Sequence, residues 1–129
     1  GVFVGCSYTD PSTSQKTFKQ YWPAGTVASD AVGIVVDDPD VLFMGQADAT
    51  VAQTALGTNC PLAAVQSTST GSTTTGNSTT ALDATVAVTT GIAFRIVDFV
   101  DSTTSTVGDT YTDLIVKFNN HSYYNPVGI

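Results

Sequence analysis

His121 is the only imidazole in this chain, so a hydrolytic site of the common kind would have to be built around it. Such a site needs a nucleophile, a base and an orienting carboxylate converging in space. No Gly-x-Ser-x-Gly turn presents a serine, and neither Cys6 nor Cys60 lies in a catalytic signature. His121 therefore reads as a hydrogen-bonding or interface residue. The other titratable clusters are carboxylates. Asp37, Asp38 and Asp40 crowd one short stretch. A hard cation such as calcium takes about six to eight oxygen ligands, and its usual loop alternates them along the chain. That alternation is missing here, and Pro39 marks a turn. The expectation is a solvated acidic turn, with Asp37, Asp38 and Asp40 as weak metal candidates only. Asp98, Asp101 and Asp109 share the same weakness. Glycoside hydrolysis needs two carboxyl groups opposed across a cleft. Spacing cannot show that, and the chain has no Glu to serve as the common acid. Gly71 and Gly76 have the spacing of a phosphate loop, but Asn77 stands where that loop needs Lys. The chain is expected to have no catalytic residue, no cofactor and no resident metal, and not to be an enzyme.

The aromatic residues point elsewhere. Tyr21, Trp22, Tyr123 and Tyr124 form two doublets, and such rings serve at protein interfaces where one end stays wet. They are the interface candidates, against the plainer reading that they cap a small core. Asn77-Ser78-Thr79 and Asn120-His121-Ser122 match the N-glycosylation pattern. With no secretory leader visible, both are taken as chance. Cys6 and Cys60 read as small buried apolar residues, with a disulfide left open.

These residues must be positioned by strands. The chain has 129 residues with 11 Asp, no Glu and 22 Thr. Asp and Thr are poor helix formers because of local hydrogen bonding and a stiff χ1. Thr and Val suit a pleated, half-buried surface. The length suggests a single β domain over 1–129. Its net charge of -7 opposes binding to nucleic acid and to anionic lipid, and favours a basic protein partner. No apolar run approaches the roughly 18 residues of a membrane helix. The chain opens on Gly1-Val2-Phe3-Val4-Gly5, the middle of a strand, so a further region upstream of residue 1 is expected.

Val2 to Tyr8 reads as a strand, and Thr9-Asp10-Pro11-Ser12 as the turn that ends it. Lys16 to Trp22 is the returning half of a hairpin. Ala31 to Val36 is apolar throughout, which suggests a strand buried on both faces. Val41 to Gln46 would pair with it across the acidic turn, making a central hairpin. Residues 48–56 are the one credible helix, with Asp48 as N-cap, Val51, Ala52, Ala55 and Leu56 as its apolar face, and Gly57 as its stop. Residues 67–80 are a low-complexity Ser/Thr segment, expected to be an exposed loop. Ala84 to Val88 and Ile92 to Val100 follow as strands. Tyr111 to Phe118 alternates Thr112, Leu114, Val116 and Phe118 against Tyr111, Asp113, Ile115 and Lys117. The fold class expected is all-β: an antiparallel β-sandwich or small β-barrel with one short helix near 48–56.

The order of these segments resembles a known group. Gly1 to Pro11 followed by Tyr21-Trp22-Pro23-Ala24-Gly25 is one piece. Val35 to Asp48, Gly76-Asn77-Ser78, Leu82-Asp83, Phe94-Arg95-Ile96-Val97 and Val116 to His121 complete it. Together they resemble virion structural proteins of tailed bacteriophages, of the capsid decoration or cement type. The resemblance covers most of the chain and carries no catalytic residues. It implies a protein made in the bacterial host cytoplasm that binds the outer surface of the phage head and stabilises the lattice of the major capsid protein. It also implies a homo-oligomer, with a trimer at a local threefold position fitting closed symmetry. Nucleic acid and membrane are not partners in that reading. The rival expectations are a β-sandwich carbohydrate- or host-recognition module, and a tail or neck component of the virion.

Overall fold

The structure is a computed structural model and describes residues 1–63 and 71–124. It is all-β, with two antiparallel sheets and no helix beyond short 3-10 turns among the described residues. The chain divides into two compact units, Gly1–Asp38 with Thr70–Ser78, and Pro39–Ser69 with Thr79–Ile129.

The first unit holds β1 (Val2–Thr9), β2 (Lys16–Lys19) and β3 (Val32–Val36) in the order β2-β1-β3. The β1–β2 hairpin follows from its turn residues. The Asp10 carboxylate accepts the Ser12 N–H at 2.8 Å and the Ser12 hydroxyl at 2.6 Å, which folds the chain back on itself. These bonds hold the Asp10 carboxyl below its usual range. A second carboxylate, Asp30, locks the same end of the sheet. It accepts the Thr9 N–H at 2.9 Å, the Thr9 hydroxyl at 2.7 Å and the Lys16 ammonium at 3.1 Å. Those bonds, the Thr9 amide foremost, hold Asp30 well below the usual carboxylate range. A bulge interrupts the β1–β3 register between Phe3 and Gly5. The backbone is close-packed there: a Cβ on Gly5 would lie 3.0 Å from the Lys19 carbonyl oxygen. Cys6 and Tyr8 are the only buried apolar side chains of this unit among the described residues.

The second unit holds β4 (Phe43–Gln46), β5 (Asn59–Cys60), β6 (Phe94–Phe99) and β7 (Asp113–Phe118) in the order β4-β7-β6-β5. Leu82 joins the two ends of this sheet. It pairs with Ala47, just beyond β4, and with Leu62, just beyond β5. Its N–H donates to the Gln46 carbonyl at 2.9 Å and its carbonyl accepts the Asp48 N–H at 2.8 Å. On the other side, Ala63 donates to Ala81 at 3.0 Å and Asp83 to Pro61 at 2.9 Å. The ladder therefore runs round a closed circuit, the geometry that removes sheet edges. Its interior is the core: Ala47, Val51, Ala55, Cys60, Leu82, Phe94, Ile96, Phe99, Leu114 and Val116. The alternation read over Tyr111 to Phe118 is visible, with Thr112, Leu114 and Val116 buried, Asp113, Ile115 and Lys117 half-buried, and Phe118 half-buried against the core.

Several local expectations fail. The strand expected over Ala84 to Val88 is reduced to a single bridge, Ala87 with Asn59, whose backbones exchange two bonds at 2.8 and 2.9 Å. The helix over 48–56 is reduced to a 3-10 turn at Gln53–Ala55. Asp48 caps nothing there, since its carboxylate accepts the Ala84 N–H at 2.9 Å. The Val51 N–H is taken by the Thr112 hydroxyl at 2.9 Å. Of the expected apolar face, Val51 and Ala55 are buried, while Ala52 and Leu56 are exposed. Tertiary hydrogen bonds outcompete a short segment in which helix nucleation is costly. The central hairpin does not form either, because β3 pairs with β1 and β4 with β7. Finally, β3 is an outer strand whose residues Val32 to Val35 are exposed. An apolar run fits a buried strand and an unsatisfied edge equally well.

Candidate functional site

The acidic stretch after β3 does not come together as one cation site. Asp37 and Asp38 fall in the first unit and Asp40 in the second. Asp40 has protein partners of its own. Its Oδ1 accepts the Lys117 ammonium at 2.7 Å and also the Tyr124 hydroxyl. The Lys117 ammonium lies 5.3 Å from the Tyr124 ring centroid. Lys117 at the end of β7 thus gathers a carboxylate and a phenol into one polar cluster. The bond from Lys117, then that from Tyr124, holds the Asp40 carboxyl below its ordinary value. The same bonds to Asp40 push the Lys117 ammonium and the Tyr124 phenol up. Among the described residues no three His, Cys or Asp side chains gather as metal ligands.

His121 is buried and lies near this cluster in sequence. Its Nδ1 accepts the Tyr123 N–H at 3.2 Å, and its ring lies 5.0 Å from that of Tyr123. Tyr123 and Tyr124 sit on the 3-10 turn Ser122–Tyr124, both exposed. Residues 125–129 of the aromatic tail lie outside the described residues.

The other aromatic doublet belongs to the first unit. Trp22 meets the buried ring of Tyr8 edge-on, with centroids 5.4 Å apart, and remains 44% exposed. The Tyr21 carbonyl accepts the Cys6 thiol at 3.4 Å, and the Lys19 ammonium lies 6.0 Å from the Tyr21 ring. Cys6 and Cys60 are both free and buried. Burial, with Asp83 nearby, pushes the Cys60 thiol up to about 11, so it is an unreactive packing group.

Of the Ser/Thr segment, 67–70 lie outside the described residues. The remainder makes a tight turn, in which Ser72 donates to the Asn77 carbonyl at 3.0 Å and Gly76 to the Ser72 carbonyl at 2.7 Å. Gly76, at φ +76, abuts the Gln20 side chain, so a larger residue would be strained there twice over. Asn120 is occupied by a bond from its Nδ2 to the Gly91 carbonyl at 2.8 Å.

The residues that sequence reading missed are apolar ones. Both faces of the β2-β1-β3 sheet carry large exposed side chains. Phe18 is 71% exposed, Val32 57% and Ile34 50%, with Phe3, Val4 and Val35 comparable. Direct pairing in the ladder places Phe18, Ser7 and Val32 across one row. Contiguous exposed apolar area of this kind is uncommon on the surface of a small domain. The signal was present in the uninterrupted apolar run of β3, but only the strand order shows which side of it is open.

Neither family models, nor curated proteins, nor solved structures give a match to this chain.

Proposed function

We propose that this protein is a capsid decoration, or cement, protein that binds the outer surface of a phage head and stabilises the lattice of its major capsid protein. The observation that carries the reading is the exposed apolar sheet of the first unit, centred on Phe18, Val32 and Ile34. Burying such side chains against a partner is worth about 25 cal/mol per Å² of apolar area, less the costs of association. A modest contact of this kind suffices when many copies clamp one shell. The acidic balance of -7 suits a basic partner surface and opposes nucleic acid. The segment order noted above supports the same reading, with closed oligomers on the shell as its natural extension.

The test is addition of the purified chain to heads that lack it. The expected result is saturable binding and a higher shell-melting temperature by calorimetry, both lost in Phe18→Asp. Absence of binding to any head preparation sinks the reading. Binding confined to tails or necks moves the protein to another part of the virion.

The open face of Trp22 favours a second reading, a carbohydrate- or host-recognition module in which that ring stacks on a sugar. Glycan-array binding abolished by Trp22→Ala would establish it in place of the first.

A further inference from the structure

We propose that the outer edge of β3 pairs with β3 of a second copy of this chain. The pairing is antiparallel and two-fold, centred on Ile34, and joins two three-stranded sheets into one of six strands.

The open edge comes first. β3 is the end strand of the order β2-β1-β3 and pairs only with β1 among the described residues. An outer strand presents one row of backbone N–H and C=O groups sideways, ready to pair with another strand. The other sheet ends are protected. Leu82 closes β4 and β5 into the circuit of the second unit. β2 is four residues long and carries Lys16 and Lys19 at its two ends, a usual way of blunting an edge. Val32-Gly33-Ile34-Val35-Val36 has neither charge nor Pro. Among the described residues, β3 is the strand left open.

The strand's own sequence selects the occupant. Directly opposed residues of an antiparallel pair share a face, so a two-fold axis normal to the sheet requires one residue to oppose itself. With Ile34 in that place, Val32 opposes Val36 of the other copy and Gly33 opposes Val35. Every side chain of the strand then meets an apolar side chain or a glycine. Any other centre within β3 sets an apolar side chain against Asp30 or Asp38.

Gly33 sharpens the fit. A glycine inside a strand often marks a place where another backbone approaches closely. The Phe3 ring leans over Gly33, 3.6 Å from where a Cβ would stand. Val35 of the other copy, opposite Gly33, would lie against that ring, and symmetry repeats the contact. Phe3 is 45% exposed and Val35 50%, so both have area to bury. A foreign apolar strand has no such match built in, whereas β3 is its own complement.

The flanking charges are compatible with this pairing. Asp30 of one copy falls opposite Asp38 of the other, and Asp30 holds the Lys16 ammonium at 3.1 Å. Lys16 therefore brings a positive charge to each end of the pair. Asp37 and Asp38 also have partners within their own chain. Five residues a side are fewer than the roughly 20–30 of a standard interface, so the dimer is a dissociating one. The inference does not rest on the shell reading, because the pairing takes the edge and leaves the side-chain faces of Phe18, Val32 and Ile34 open.

The test is sedimentation of the full chain from about 1 μM to about 1 mM, with hydrogen exchange of the β3 amides followed by NMR. The expected result is a monomer–dimer equilibrium in which alternate amides of β3 slow as the dimer fills. Ile34→Lys and Ile34→Asp should each weaken the dimer about tenfold, since like charges then meet across the axis. An equimolar mixture of the two variants should restore it, since opposite charges then meet. Ile34→Cys should form an intermolecular disulfide on oxidation, because directly opposed Cα atoms lie about 4.5–5.5 Å apart, within bridging range. Phe18→Cys, more exposed but on β2, should not. The cysteine variants decide the matter should the charged ones fail to fold. A monomer throughout the concentration range overturns the proposal, as does a trimer. So does a dimer unaffected by the Ile34 charges, a mixture that fails to restore it, or equal cross-linking of the two cysteine variants. Phe18→Asp should keep the dimer. Loss of head binding with the dimer intact counts against the shell reading alone.

Discussion

The two units of this chain handle the same problem, a sheet with edges, in opposite ways. In the second unit, Leu82 links Ala47 to Leu62, so four short strands form a closed circuit around Ile96, Leu114 and Val116. In the first unit, the three strands stop at β2 and β3, with Cys6 and Tyr8 as the buried apolar side chains. Three strands with an apolar face are near the lower limit of independent stability. The closed circuit keeps its apolar side chains for its own core. The open sheet leaves Phe18, Val32 and Ile34 exposed, the surface proposed above to meet a partner. Stability and binding are therefore expected to separate along the chain.

The largest effects should come from truncating the closed core. Ile96→Ala or Leu114→Ala removes fully buried atoms and should cost about 2–5 kcal/mol, read as a fall in the denaturant midpoint. Ile34→Ala in the open sheet should cost under about 1 kcal/mol, as exposed substitutions do. Equal costs would break the comparison.

Next comes the hydroxyl that ties the 48–56 segment to the circuit. Thr112 accepts the Val51 N–H and donates to the Asp109 carbonyl at 3.0 Å, at a buried position. Thr112→Val keeps the shape and leaves the Val51 N–H without its acceptor, for about 1–3 kcal/mol. Urea titration of the purified variant checks it.

A smaller effect should be confined to the first unit and set by pH. Asp30 is depressed by its bonds from Thr9 and Lys16. A carboxyl with a lowered folded pKa stabilises above its unfolded value, about 3.9, and that contribution is lost as pH falls through the folded pKa. Protection of the Thr9 amide should therefore fall on acidification below about pH 4, while core amides of β6 and β7 persist. In Asp30→Asn the Thr9 amide should lose this pH dependence.

The smallest effect should be at Tyr124. Tyr124→Phe removes one donor to Asp40, so the Asp40 carboxyl should titrate at higher pH by carbon-13 NMR, with the melting temperature almost unchanged. A large drop in melting temperature would show that this exposed cluster holds the second unit together.

Much of the strand content was legible in the chain, because its signals are local. Alternation marked β7, Asp10-Pro11-Ser12 marked the β1–β2 turn, and the scarcity of good helix formers marked the all-β class. The helix expected over 48–56 failed because its capping Asp48 and its Val51 amide are engaged by Ala84 and Thr112, residues far along the chain. Of the interface candidates, Trp22, Tyr123 and Tyr124 are exposed and Tyr21 half-buried. The apolar edge beside Asp37 and Asp38 was hidden inside what looked like a buried strand.

The residues by themselves determined that this chain makes strands, where it turns, and that its charge is acidic, since propensity, turn chemistry and net charge are sums over neighbours in sequence. Which strand lies outermost, which ladder closes and which apolar side chains stay in water were decided only in three dimensions. Those outcomes depend on pairings between segments such as Leu82 with Ala47 and Val35 with Phe3, and a hydrophobic run carries no record of the partner it will meet.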